Sequence, residues 1–218
     1  MNLTHSEFER LLKAFGWMLG TLWTAIFLVQ LTYFQTPATS AAWRAFGSAL
    51  ALSVLAFGAL KKLAWRWKPL AKWMGRPCVH GVWQGELLSD YGATNDSRLV
   101  IPIFFVIRQT YLTLSIQSFT ERQEGESQIE ALFKNSKTNS TQLIYIFELR
   151  KSFSGSSSLI KGSGELKLSG NHLSLTGTYW TNTPTHGDIN LKLISRKIDD
   201  VTTFQEAMES SSKAAAKN

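Results

Sequence analysis

The sequence predicts a membrane-anchored all-β protein: an N-terminal two-helix transmembrane hairpin followed by a small eight-stranded antiparallel β-barrel. Three observations predict it. No charged residue occurs from Ala14 to Ala42, and none from Ala45 to Leu60. Six basic residues then follow without an acid, at Lys61, Lys62, Arg66, Lys68, Lys72 and Arg76. From about Val79 the apolar period changes from helical to two, the signature of strands with one buried and one wet face. At 218 residues the chain has room for the hairpin and one ordinary domain. The expected division is a hairpin with its basic flank over 1–76, a barrel over 79–197 and a flexible tail over 198–218, either disordered or a frayed helix.

A bilayer core needs about 20 apolar residues per helix. Phe15 to Phe34 fits, with Gln30 its one strongly polar member. Ala45 to Ala64 is the second candidate, with Lys61 and Lys62 snorkelling at its end. The uncharged stretch QTPATSAAW lies between them, and Pro37 is expected to end the first helix. Arg10 and Lys13 precede the hairpin and the basic cluster follows it, so the positive-inside rule places both termini and the barrel in the cytoplasm. Glu7, Glu9 and the length of the apolar run argue against a cleaved signal peptide. Six of the eight tryptophans fall between Trp17 and Trp73, several near the expected interfaces. Lys61, Lys62, Arg66 and Lys68 could attract anionic lipid at about 1 kcal/mol per basic residue, or serve only as a stop-transfer flank. Gly16 and Gly20 form a GxxxG pair continued by Thr24, which suits helix association in a bilayer or packing within the hairpin.

The net charge of +7 is nearly all in that cluster, so the rest of the chain is close to neutral and no DNA- or RNA-binding surface is indicated. Cys78 is the only cysteine, which excludes an intrachain disulfide and suits a reducing compartment.

The strands are expected near 80–89, 99–109, 111–119, 126–134, 142–150, 160–168, 172–181 and 187–195. Alternation carries most of them: Leu112, Leu114 and Ile116; Leu143, Tyr145, Phe147 and Leu149; Leu173, Leu175 and Tyr179; Ile189, Leu191 and Leu193. Turn-prone stretches such as DYGATNDS, NSKTNST and SFSGSSS separate them. Eight short strands close into a barrel without exposed edges. The run IPIFFVI, 101–107, is apolar on both faces, so alternation leaves its inward face undecided.

No catalytic constellation appears. His5, His80, His172 and His186 are scattered without metal-ligand spacing, Cys78 has no evident histidine partner, and there is no phosphate loop. An enzyme, a metal site and a resident cofactor are not expected.

The order of parts, with GVWQGEL (81–87), Pro102, IRQ (107–109), FTERQEGES (119–127), LIYIFEL, GSGELKL (162–168) and LTGTYWTNTPTHGDINL (175–191), resembles the two-transmembrane β-barrel effectors of bacterial anti-phage defence, of the CBASS or Panoptes type. The likeness covers nearly the whole chain. The family tends to carry an arginine before the final Thr-x-Gly, where this chain has Thr183 and Pro184. The resemblance implies a regulatory cyclic dinucleotide from a partner synthase, bound by the barrel. It also implies homo-oligomeric assembly of the hairpins, disruption of the inner membrane, and growth arrest before phage matures. In the Panoptes type the nucleotide holds the effector off, so the sign of its effect stays open.

A pocket for such a ligand needs stacking surfaces, hydrogen-bond donors and cations. Tyr179, Thr181, Asn182, Thr185 and His186 cluster at the last hairpin and could serve, or could be ordinary turn chemistry. Arg108 and Gln109 end the apolar run, and Arg108 is a solvated residue if it points outward or a buried cation if inward. Tyr145, like Trp83, reads first as a core aromatic and also as a stacking candidate. Two other readings fit the pattern: a membrane-held barrel for a lipid or small apolar ligand, and a ligand-free structural or assembly module.

Overall fold

The structure, a computed structural model, describes residues 5–62, 77–91, 98–135, 137–138, 140–151, 159–183, 185–198 and 201–215. The chain divides into a helical unit, Leu3–Arg76, and a unit containing Pro77–Asn218.

The helical unit holds α1 (His5–Thr32) and α2 (Ala38–Lys62). Phe8–Thr32 and Ala38–Ala59 are each long and apolar enough to cross a membrane. At about 1.5 Å per residue either exceeds a hydrocarbon core of about 30 Å. The second helix starts seven residues before the expected boundary. Pro37 does not end α1; its carbonyl accepts the first intrahelical bond of α2, from the Ala41 amide at 2.9 Å. Proline has a fixed φ and no N–H to lose, which suits a helix start. Helix α1 ends instead where Gln35 turns left-handed at φ 47°, with the Thr36 hydroxyl donating to the Gln30 carbonyl at 3.0 Å.

Small side chains bring the two helices together. Ala41, Ala45, Ala49 and Ser53 recur every fourth residue on α2 and are fully buried. Phe15 meets Phe57 edge-to-face at 6.0 Å, and the Trp23 indole donates to the Ala42 carbonyl at 3.2 Å. Gly16 and Gly20 take no part, because a Cβ added at either would meet nothing within 4 Å. The side chains of Lys61 and Lys62, and all of Arg66 and Lys68, lie outside the described residues.

The second unit is a closed antiparallel barrel in sequence order: β1 (Gly81–Ser89), β2 (Leu99–Gln109), β3 (Leu114–Phe119), β4 (Gln123–Lys134), β5 (Thr141–Lys151), β6 (Ile160–Leu168), β7 (Ser174–Thr181) and β8 (His186–Ser195). Strand β1 pairs with both β2 and β8, which removes every edge. The expected boundaries hold to within three residues. Inward positions form one apolar core, with Trp83, Phe105, Ile107, Leu143, Leu166, Leu175 and Leu191 essentially without exposure. Gly162 and Gly164 on β6 lie opposite Phe147 and Tyr145 on β5. A Cβ on either glycine would collide with the facing ring, so these positions make room for the aromatics inside the barrel.

The two apolar faces of β2 have separate partners. Ile103, Phe105 and Ile107 point into the barrel. Phe104 and Val106 point outward and form a second cluster with Val82, Phe119, Val201 and Ala207. The last two belong to the C-terminal segment, for which the sequence left disorder or a frayed helix open. Residues Phe204–Ala215 form helix α3, lying against the barrel wall. The helix start is a capping box. The Glu206 carboxylate accepts from the Thr202 and Thr203 amides at 2.7 and 3.1 Å, and the Glu206 amide donates to the Thr203 hydroxyl at 3.3 Å. Phe204 meets Phe104 edge-to-face at 5.4 Å.

Candidate ligand-binding end of the barrel

The strand register gives the barrel two chemically different ends. The chain enters and leaves at one of them, where Val82 pairs with Ser195 and Gln109 with Leu114. Trp83 closes this end. Its indole donates to the Val79 carbonyl at 2.9 Å, and the Arg196 guanidinium lies 5.6 Å above its ring. Arg196 also donates to the carbonyls of Cys78 at 3.0 Å, His80 at 2.7 Å and His172 at 2.9 Å. Burial pulls the Arg196 pKa down from its ordinary value, against the favourable influence of Cys78. His172 is held left-handed at φ 60°, and its pKa is lowered by burial, then by the charges of Arg196 and Lys134.

Gln109 belongs to this seal. Its side-chain carbonyl accepts from the Val79 and His80 amides at 2.7 and 3.1 Å, and its amide donates to the Pro77 carbonyl at 3.0 Å. Arg108 faces outward, which settles the alternation left open at 101–107. It donates to Gln117 and, at 3.0 Å, to the Val201 carbonyl, so it secures the segment leading to α3. The structure therefore places Arg108 and Gln109 at the opposite end of the barrel from the last-hairpin candidates, while Tyr145 packs on Phe105 in mid-strand.

The opposite end gathers the rest. Tyr179 points inward near the rim, buried and hydrogen-bonded to Ser89. Its pKa is raised mainly by burial, with Asp90 raising and Ser89 lowering it. Tyr145 lies in the core, edge-to-face with Phe105 at 5.8 Å, and burial followed by the nearby Tyr179 raises its pKa. Around the rim, the Thr181 hydroxyl donates to the Thr183 carbonyl at 2.6 Å, and the Thr181 amide donates to the Thr185 carbonyl at 3.0 Å. The Asn182 side chain accepts from the Lys161 amide at 3.0 Å, while its own amide donates to the Lys161 carbonyl at 2.7 Å. The Asp90 carboxylate accepts from the His186 amide and contacts its Nδ1, each at 2.7 Å. These bonds fix the last hairpin as a tight turn, yet leave the Asn182 amide group and the imidazole of His186 at the surface.

Pattern reading missed Ser89, Asp90 and Arg196. Ser89 and Asp90 sit in a turn-rich stretch, and only the pairing of Ser89 with Gly187 brings them to the last hairpin. Arg196 follows the final strand with no periodic signal. Among the described residues no cluster of histidine, cysteine or carboxylate side chains could hold a metal ion.

A protein-family model described as "Cap15, cyclic dinucleotide receptor domain" matches residues 74–193, more than half of the chain. The chain is also similar to CD-NTase-associated protein 15 of Staphylococcus schleiferi, 23% identical over 189 residues, which cover 86% of this chain and 98% of that protein.

Proposed function

This chain belongs to the Cap15 family through its cyclic dinucleotide receptor domain, and from that premise we propose that ligand enters at the rim formed by the β7–β8 hairpin. The protein is a membrane effector of CBASS, a receptor rather than an enzyme. The observation that supports this rim is the asymmetry of the barrel: one end is sealed by Trp83, Arg196 and Gln109, while the other presents hydroxyl, amide and imidazole groups.

In this reading Tyr179 offers a ring edge to a base. Thr181, Asn182 and Thr185 hydrogen-bond sugar or phosphate oxygens, and His186 supplies a donor to phosphate. Tyr145 acts beneath them as the packed floor. The domain division follows the same lines, with 1–76 as the anchor and 79–197 as the receptor. The ligand comes from a nucleotidyltransferase partner. Both termini and the barrel face the cytoplasm, and the basic flank with Lys61, Lys62, Arg66 and Lys68 holds anionic lipid at the inner membrane. Bound nucleotide drives homo-oligomeric assembly through the open Gly16 and Gly20 face of α1, and the assembled helices disrupt the bilayer.

The test is calorimetric titration of the full chain in nanodiscs with a panel of cyclic di- and trinucleotides, then dye leakage from vesicles. One member should bind saturably and trigger leakage. A folded chain that binds none of the panel would falsify the rim as a receptor site. Leakage without nucleotide, suppressed by adding it, would reverse the proposed sign.

A further inference from the structure

Helix α3 lies beyond the matched receptor domain and takes no part in closing the barrel. It covers one strip of outer wall: Val82 on β1, Phe104 and Val106 on β2, and Phe119 on β3, all buried. Such a wall normally faces water, and its polar neighbours Gln84 and Glu86 do so. The strip therefore demands an apolar partner. The cover is slight. The helix has 12 residues, a length at which an isolated helix is marginal in water, and it contributes only Phe204 and Ala207 to the cluster, beside Val201 and the flanking Ile194 and Ile198. Met208 stays half exposed, and the far half is held by Ser211 donating to Gln84 at 2.6 Å.

The strip is bordered by opposite charges. Glu86 pairs in register with Pro102 at one end, and Arg108 follows Val106 at the other. Arg108 is occupied in part by the Val201 carbonyl that leads into α3. A twofold axis through the strip would lay Phe104 and Val106 of one copy on those of another. It would also bring Glu86 of each copy to Arg108 of the other, a self-complementary arrangement.

We infer that α3 is a removable cover over a barrel-to-barrel interface, and that the partner it excludes is a second copy of this chain. Release of α3 takes the Val201 carbonyl from Arg108, which keeps Gln117, and uncovers the strip in one step. Membrane anchoring raises the local concentration of copies, so a small contact suffices to favour pairing. This inference rests on the assembly reading but places a contact in the receptor unit that assembly through the helices does not require.

The experiment uses the full chain in nanodiscs or detergent, with cysteine-free background Cys78→Ser. Gln84→Cys and Ser211→Cys allow α3 to be bridged to β1 with a short bis-alkylating reagent. The bridged chain should bind nucleotide with unchanged affinity, while its ligand-induced dimer, read by analytical ultracentrifugation, falls at least fivefold relative to the unbridged chain. Separately, Ala207→Glu should loosen α3 and raise the ligand-free dimer at least tenfold. Adding Glu86→Arg should abolish that gain, and Arg108→Glu on top should restore it. Dimerisation of the bridged chain equal to that of the unbridged chain would overturn the inference. So would an Ala207→Glu protein whose tail becomes protease-sensitive while it stays monomeric. If Ala207→Glu does not fold, the bridged chain decides alone. Failure of the unbridged parent to bind nucleotide would count against the receptor reading, which the ligand-free arm does not use.

Discussion

At the scale of single residues, each end of the barrel makes its own predictions. Arg196 satisfies three carbonyls and covers Trp83, so Arg196→Leu leaves the part-buried carbonyls of Cys78 and His80 without this donor. The expected loss is on the order of 3 kcal/mol in chemical denaturation of the barrel, with little direct effect on ligand contacts. Tyr179→Leu removes the ring edge offered to a base and leaves an apolar side chain in the core. Nucleotide affinity should fall by about fivefold to tenfold, near 1 kcal/mol, and an unchanged Kd would remove Tyr179 from the site. His172 carries a pH signature. Burial, Arg196 and Lys134 hold its folded pKa below the ordinary 6.5. Unfolded chains then bind more protons on the acid side, so stability present above about 6.5 is lost as pH falls toward the folded value. His172→Asn tolerates the left-handed backbone and should flatten the midpoint change between about pH 7 and pH 5. Neither Arg196 nor Ser89 is legible beforehand, because each acts across a long sequence separation and carries no local pattern.

Among the elements, the strands were the legible part. Period-two alternation located most of them because those strands have one wet face, and turn chemistry marked their ends. Alternation failed only at β2, where α3 supplies a second apolar surface. A signal for α3 was present in Thr203 and Glu206, spaced as a capping box, but its apolar stripe is too short to stand out. The hairpin packing was similarly hidden. Gly16 and Gly20 drew attention as the small-residue pair, whereas Ala41, Ala45, Ala49 and Ser53 on the other helix make the contact. The two roles separate by mutation. Ala45→Leu with Ala49→Leu should splay the hairpin and reduce its helicity or expression. Gly16→Ile with Gly20→Ile should leave the hairpin folded and reduce oligomers several-fold in cross-linking. In the barrel, Gly164→Val drives a branched side chain into the ring of Tyr145, and a loss of at least about 2–3 kcal/mol is expected in thermal denaturation.

For the molecule as a whole, fold and family were readable because order of parts is itself information: an uncharged helical pair, a basic flank, then eight alternating segments. The residues of the proposed rim were less so, since rim positions look like any turn until the register places them beside Ser89 and Asp90. Ligand binding should act on the barrel as one cooperative unit. At one hundred times Kd, a nucleotide that binds only the folded state adds about 2.7 kcal/mol, visible as a raised Tm. The absence of a shift with a nucleotide that calorimetry shows to bind would mean that the unfolded chain binds it too. The placement of the chain ends has a further consequence. Strand β1 starts and β8 finishes at the sealed end, so the rim is made only of connections between strands. Rim segments can therefore be exchanged between relatives without disturbing the junctions to the anchor or to α3. With the ligand at the proposed rim, a lineage under pressure to change its second messenger can rewrite the connections at one pole and inherit the rest, and grafting a relative's β7–β8 hairpin should transfer messenger preference along with it.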